Sequence, residues 1–111
     1  LDGSSKIKEI TKRAAELGMD SLAITDHGVM YGVIDFYRAA KDAGIKPILG
    51  CEVYVAPGSR FDKQPGESES RYYHLVLLAE NNTGYKNLMK RLYQGALQKA
   101  FIISQELIKK Y

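Results

Sequence analysis

The apolar positions of this chain change period along its length, and the changes divide it into alternating helices and strands. Ser4 or Ser5 can cap a first helix, because a serine oxygen accepts a hydrogen bond from an otherwise unpaired backbone N–H. Ile7, Ile10, Ala14 and Leu17 then recur at three- and four-residue spacing. That spacing predicts a helix with those four side chains inward, stopped by the left-handed conformation that Gly18 allows. Leu22-Ala23-Ile24-Thr25 is short and continuously apolar, the pattern of a strand buried on both faces, and Asp26-His27-Gly28 is predicted as the loop after it. A second helix fits roughly 30–43, with Val33, Ile34, Tyr37 and Ala40 inward and Gly44 at its end. Pro47 to Gly50 leads into a second apolar strand at 51–55. The two helix–strand units echo each other, ELGMDSLAITDH against DAGIKPILGCE.

Residues 56–71 read as a polar, mobile loop with two prolines and two glycines. Residues 72–79 predict a third strand. Asn82 or Thr83 is expected to cap a long helix with Tyr85, Leu88, Met89 and Leu92 on one side, and 104–111 forms a short amphipathic helix. Strands alternating with helices predict an α/β fold with parallel strands in a sheet or barrel.

Composition adds bounds. The 111 residues suit one domain or a piece of one; 45% are hydrophobic and 26% charged, which allows a core and is ordinary for a globular domain. No apolar run approaches the roughly 18 residues that span a bilayer, and the opening Leu-Asp-Gly-Ser-Ser has neither the basic stretch nor the apolar core of a signal peptide. The chain starts mid-pattern without methionine, so a truncated or incompletely recorded chain is expected. Its single cysteine, Cys51, cannot form an internal disulfide, which fits a reducing cytoplasm. The net charge of +3 permits contact with nucleic acid, but the basic residues are spread among Asp and Glu rather than clustered in a stripe. No phosphate-binding glycine loop, Cys-x-x-Cys motif or Ser-His-Asp series is present.

Four side chains stand out as candidate metal ligands: Asp2, His27, Glu52 and His74. Imidazole and carboxylate are ligand types for Zn²⁺, Mn²⁺ and Fe. Asp2, His27 and Glu52 follow one another at intervals of 25 residues, about one αβ unit each, so successive units bring them round one mouth. The C-terminal rim of parallel strands is where such folds place their sites. His74 fits less well, because it falls near the start of its apolar run. Each residue also has a plainer reading. Asp2 can be a solvated loop carboxylate, His27 part of a turn, and His74 a hydrogen-bonded core histidine. Glu52, inside an apolar strand, needs a partner, and a salt bridge to Lys or Arg would serve. Asp26 either orients a ligand imidazole or caps the following turn. Tyr72, Tyr73 and Tyr85 read as packing residues, and Cys51 as a small core residue.

The words themselves go further. YGVIDFYRAAKDAGIKPILGCEVYVAPGSRF, preceded by LGMDSLAITDHG, resembles the PHP (polymerase and histidinol phosphatase) domain of bacterial DNA polymerase III alpha subunits, and so do LDGSSKI and YYHLVLLAENNTGYKNLMK. The resemblance covers nearly the whole chain and is densest from Leu17 to Arg60. It implies residues 1–111 of a distorted (β/α)7 barrel holding up to three ions of Zn, Mn or Fe with nine ligands at its mouth. On matching positions Asp2, His27, Glu52 and His74 correspond to family ligands, with no catalytic group beyond the ligands themselves. The family's opening His-x-His pair and its later ligand motifs would fall outside this sequence, so the fragment alone is expected to be inactive. Leu97 to Gln105 departs from the family pattern, as if a loop were omitted there, which puts a continuous helix from Lys90 through Ser104 in doubt. The resemblance implies a parent acting in the cytoplasm as a DNA-directed DNA polymerase on primer-template DNA, with a sliding clamp and a proofreading exonuclease as partners and no membrane. In the parent the PHP domain would be a 3′→5′ exonuclease. The alternatives are a silent scaffold that docks a separate exonuclease, and a stand-alone phosphoesterase, which the polymerase-like blocks disfavour. Arg60, Lys63 and Arg71 could guide a phosphate backbone or be solvated surface charge.

Overall fold

The computed structural model describes residues 3, 5–56, 72–97 and 102–103. The elements run α1 (Ile7–Glu16), β1 (Ser21–His27), α2 (Val33–Asp42), β2 (Lys46–Val55), β3 (Tyr73–Leu78), α3 (Asn82–Leu97) and β4 (Ile102–Ile103). Each of the first two helices ends the same way. Gly18 N–H donates to Ala15 O and Met19 N–H to Ala14 O; one unit later Gly44 N–H donates to Lys41 O and Ile45 N–H to Ala40 O. Both glycines have left-handed φ, +76° and +74°. These paired bonds satisfy carbonyls that a helix end leaves orphaned, and they turn the chain straight into the next strand.

The inward faces of the helices differ from those the spacing predicts. In α1 the buried residues are Thr11 and Ala14, while Ile10 and Leu17 are 37% and 57% exposed. Thr11 can be buried because its hydroxyl donates back to Ile7 O at 3.0 Å, within its own helix, leaving an almost apolar side chain to pack. In α2 Val33, Phe36 and Ala40 are buried, and Ile34 and Tyr37 lie outward. The residue preceding α1 is Lys6, without a side-chain cap bond, rather than a capping serine. At α3 the cap is Asn81, one residue earlier than expected: its Oδ1 accepts from Gly84 N–H at 3.0 Å.

The strands form one sheet in the order β1-β2-β3, with β4 also on β2. β1 and β2 are parallel, from Ser21 opposite Lys46 to His27 opposite Glu52, with α2 as the crossover. β2 therefore starts before the proline expected to precede it. Pro47 is tolerated because β2 has no β3 neighbour there; β3 pairs only from Gly50 onward, so the missing N–H removes no bond to it. β3 is antiparallel to β2, with Val55 opposite Tyr73 and Gly50 opposite Leu78. This corrects the expectation of parallel strands throughout. A parallel return needs a crossover, usually a helix, and among the described residues none lies between β2 and β3. β4, not anticipated, pairs in parallel with Tyr54–Val55 along the edge β1 has left. The expected terminal helix at 104–111 lies outside the described residues.

The three helices among the described residues cover one face of the sheet. Ala14, Ala40 and Ile45 pack with Leu22, and Leu88 of α3 packs with Cys51, Val53, Met30, Leu75 and Leu77. Strand side chains alternate between faces, so His27, Glu52, Tyr54, His74, Val76 and Leu78 share the opposite face. There Val76 and Leu78 are 50% and 55% exposed. β1 is accordingly half-buried along most of its length rather than buried on both faces.

Candidate metal centre

β1, β2 and β3 each contribute one donor to the same end of this open face. His27 closes β1, and in the parallel register it stands directly beside Glu52 of β2. Asp26 and His27 thus extend the strand rather than form a loop; the turn begins at Gly28, whose φ is +67° and whose N–H donates to Glu52 O at 2.8 Å. His74 is the second residue of β3 and opposes Tyr54. The antiparallel direction resolves its position near the start of an apolar run. The first residues of β3 lie against the last residues of β2, so an early position on β3 reaches the same rim as a late one on β1.

Glu52 is the hinge of the group. Its Oε1 lies 2.7 Å from His74 Nδ1, and its Oε2 lies 3.6 Å from His27 Nε2. Its side chain is only 18% exposed, against 48% for His27 and 59% for His74. A carboxylate held largely out of water needs partners, and among the described residues these are two imidazoles rather than Lys or Arg. His74 is too exposed to be a core histidine.

Asp26 points the other way. Alternation puts it on the helix-covered face, where Oδ2 accepts from Gly32 N–H at 3.0 Å. It therefore braces the turn into α2, the second of its two sequence readings. Cys51 is fully buried behind the site, within 3.3 Å of Asp26 O. Burial foremost, with the Asp26 and Glu52 charges adding to it, pushes its thiol up to about 11. It is a protonated core residue and an unsuitable ligand. Asp2, Arg60, Lys63 and Arg71 lie outside the described residues.

The donor set suits a divalent ion of the zinc, manganese or iron kind. Two ligands on one tetrahedral ion, with bonds near 2.0–2.1 Å, stand about 3.3 Å apart, and the His27–Glu52 separation is close to that. Among the described residues no three such side chains converge on a single ion position; the histidines flank Glu52 on its two oxygens instead. Sequence reasoning missed Tyr54, whose ring meets the His74 imidazole at right angles, 5.1 Å between centroids. The signal was its place two residues after Glu52 on a strand, hence on the same face.

Three comparisons bear on this arrangement. The PHP domain family matches residues 1–111. The DNA polymerase III subunit alpha of Treponema pallidum is 51% identical over 89 residues, which cover 80% of this chain and 8% of that protein. The chain thus spans less than a tenth of the length of this curated relative. Among solved structures, an amidohydrolase from Chromobacterium violaceum with bound sulfate and no metal superposes with a TM-score of 0.53 at 27% identity, covering 87% of this chain and 31% of that one. A proposed metal-dependent phosphoesterase from Bifidobacterium adolescentis superposes equally well, TM-score 0.53, at 19% identity over 81% and 29%, and shares the fold.

Proposed function

The chain belongs to the PHP domain family, in the branch carried by DNA polymerase III alpha subunits, and from that premise we propose that it is part of a metal-dependent phosphodiester-hydrolysing centre. The observation that supports this best is the meeting of His27 and His74, from strands of opposite direction, on the two oxygens of one half-buried carboxylate. The residue types of that cluster are those of a Zn, Mn or Fe site. His27, Glu52 and His74 would hold the ions, with Asp2 as a further ligand and Arg60, Lys63 and Arg71 guiding a phosphate backbone. Divalent ions held there would supply Lewis-acid polarisation and charge neutralisation and would lower the pKa of a water. The chain's own residues position the site. Glu52 turns one oxygen to each side, His27 stands beside it at the rim, and the helix-covered face of the sheet supports both strands from behind.

In the parent this sheet would belong to a distorted (β/α)7 barrel, and the parent would be a cytoplasmic DNA-directed DNA polymerase acting on primer-template DNA with other replicase subunits such as a sliding clamp. The PHP site would then remove mismatched 3′ nucleotides. The test is 3′→5′ excision by the intact polymerase on a mismatched primer, without nucleotides, with Mn²⁺ or Zn²⁺. His27→Ala is expected to lower the rate by more than the about 10–100-fold that outer-sphere changes cost. Equal rates for both proteins, or no excision at confirmed metal content, would overturn the catalytic reading and leave a scaffold.

A further inference from the structure

The candidate ligands do not by themselves explain how His74 is held. Its side chain is 59% exposed on an open sheet face. The bond from Nδ1 to Glu52 Oε1 fixes which nitrogen faces the carboxylate, yet a ring held at one point can still pivot about that line. Tyr54 stands where it can oppose that pivot. It is directly opposite His74 in the β2–β3 register and on the same face, and its ring stands at 86° to the imidazole with centroids 5.1 Å apart. Perpendicular rings at this separation are a preferred aromatic arrangement, and Tyr54 is itself half-buried and so less free to turn.

We propose that Tyr54 is a positioning residue for the metal centre: its ring holds the His74 imidazole with Nδ1 on Glu52 and so keeps Nε2 available for a ligand. This rests on the metal-site reading above. The contact is between rings, so phenylalanine serves in place of tyrosine, whereas an aliphatic side chain keeps the strand but loses the perpendicular face. A cross-strand pair that only stabilised the sheet would not make that distinction at His74.

The intact polymerase is compared with Tyr54→Phe, Tyr54→Leu and Tyr54→Val. Zinc retention is read by competition with a chromophoric chelator, and His74 exposure by the rate of its carbethoxylation in metal-free protein, followed by peptide mass spectrometry. Tyr54→Phe should match the wild type in both. Tyr54→Leu and Tyr54→Val should weaken zinc retention by about 10–100-fold and speed His74 modification several-fold, without a matching fall in melting temperature. Aliphatic variants equal to wild type, or losses that track melting temperature in all three variants, would overturn the positioning role. A wild-type protein that retains no zinc while the aliphatic variants still expose His74 would support the ring contact and count against the metal reading alone.

Discussion

Replacing Gly50 by alanine puts a methyl group where the sheet has no space. A Cβ at this position would lie 2.5 Å from the backbone oxygen of Leu77, 2.7 Å from Leu78 Cδ2 and 3.2 Å from Thr25 Cγ2. The two side-chain tips can rotate away, but the Leu77 oxygen belongs to β3 and moves only with it. Carbon–oxygen contacts relax at about 3.3–3.6 Å, so β3 must retreat by about 0.8–1.1 Å or lose pairing to β2. Overpacking of this kind costs about 1–3 kcal/mol. That makes local opening of β3 about 5- to 150-fold more frequent. His74 travels on the same strand, so its 2.7 Å contact with Glu52 should weaken too. Hydrogen exchange of the intact polymerase, read on peptides covering Tyr73–Leu78, measures the effect. Gly18→Ala is the control. Nothing lies within 4 Å of its Cβ, and its φ of +76° costs about 1–2 kcal/mol at the end of α1 alone. Unchanged β3 exchange in Gly50→Ala, or equal acceleration in both variants, would refute the argument that close strand approach at Gly50 sets the site.

Asp26→Ala should cost about 1–2 kcal/mol by leaving Gly32 N–H without its partner, seen as faster exchange at the start of α2, with metal affinity within twofold of wild type; a tenfold loss of affinity would mean that Asp26 acts on His27. Phe36→Ala, at a position 2% exposed, should cost about 3–5 kcal/mol in domain stability and lower the first melting transition. The Cys51 thiol should resist alkylation at pH 8 in the folded protein. Its folded value of about 11 lies above the ordinary thiol value of 9.0, so its contribution is complete below pH 9 and is lost as pH rises through 11. The loss is about 3 kcal/mol, and Cys51→Ala should flatten that slope in chemical denaturation between those pH values.

Much of the fold is legible because local chemistry decides it. Gly18 and Gly44 stop their helices as their permissive backbone predicts, and the apolar runs do become strands. The misread parts are those that depend on partners elsewhere in the chain. Ile10 and Leu17 have the right spacing, but Thr11 hides its hydroxyl in its own helix and takes the inward place. The spacing of His74 looks wrong only while β3 is assumed parallel, and no short-range pattern states strand direction. His27, Glu52 and Asp26 show the two sides of this. The first two share a face because their strands pair in register, while Asp26, adjacent in sequence, is carried by alternation to the other face. Residue type and family resemblance both single out Asp2, His27, Glu52 and His74; for the last three, which lie among the described residues, the register explains how an open sheet brings them to one rim.

Whether His27, Glu52 and His74 hold divalent metal is decided by a crystal structure of the intact polymerase grown with Mn²⁺, with anomalous diffraction used to locate the ions. A peak is expected at bonding distance from a Glu52 carboxylate oxygen and from at least one of His27 and His74. Manganese peaks only elsewhere, with Glu52 still hydrogen-bonded to His74 and no ion beside it, would contradict that expectation.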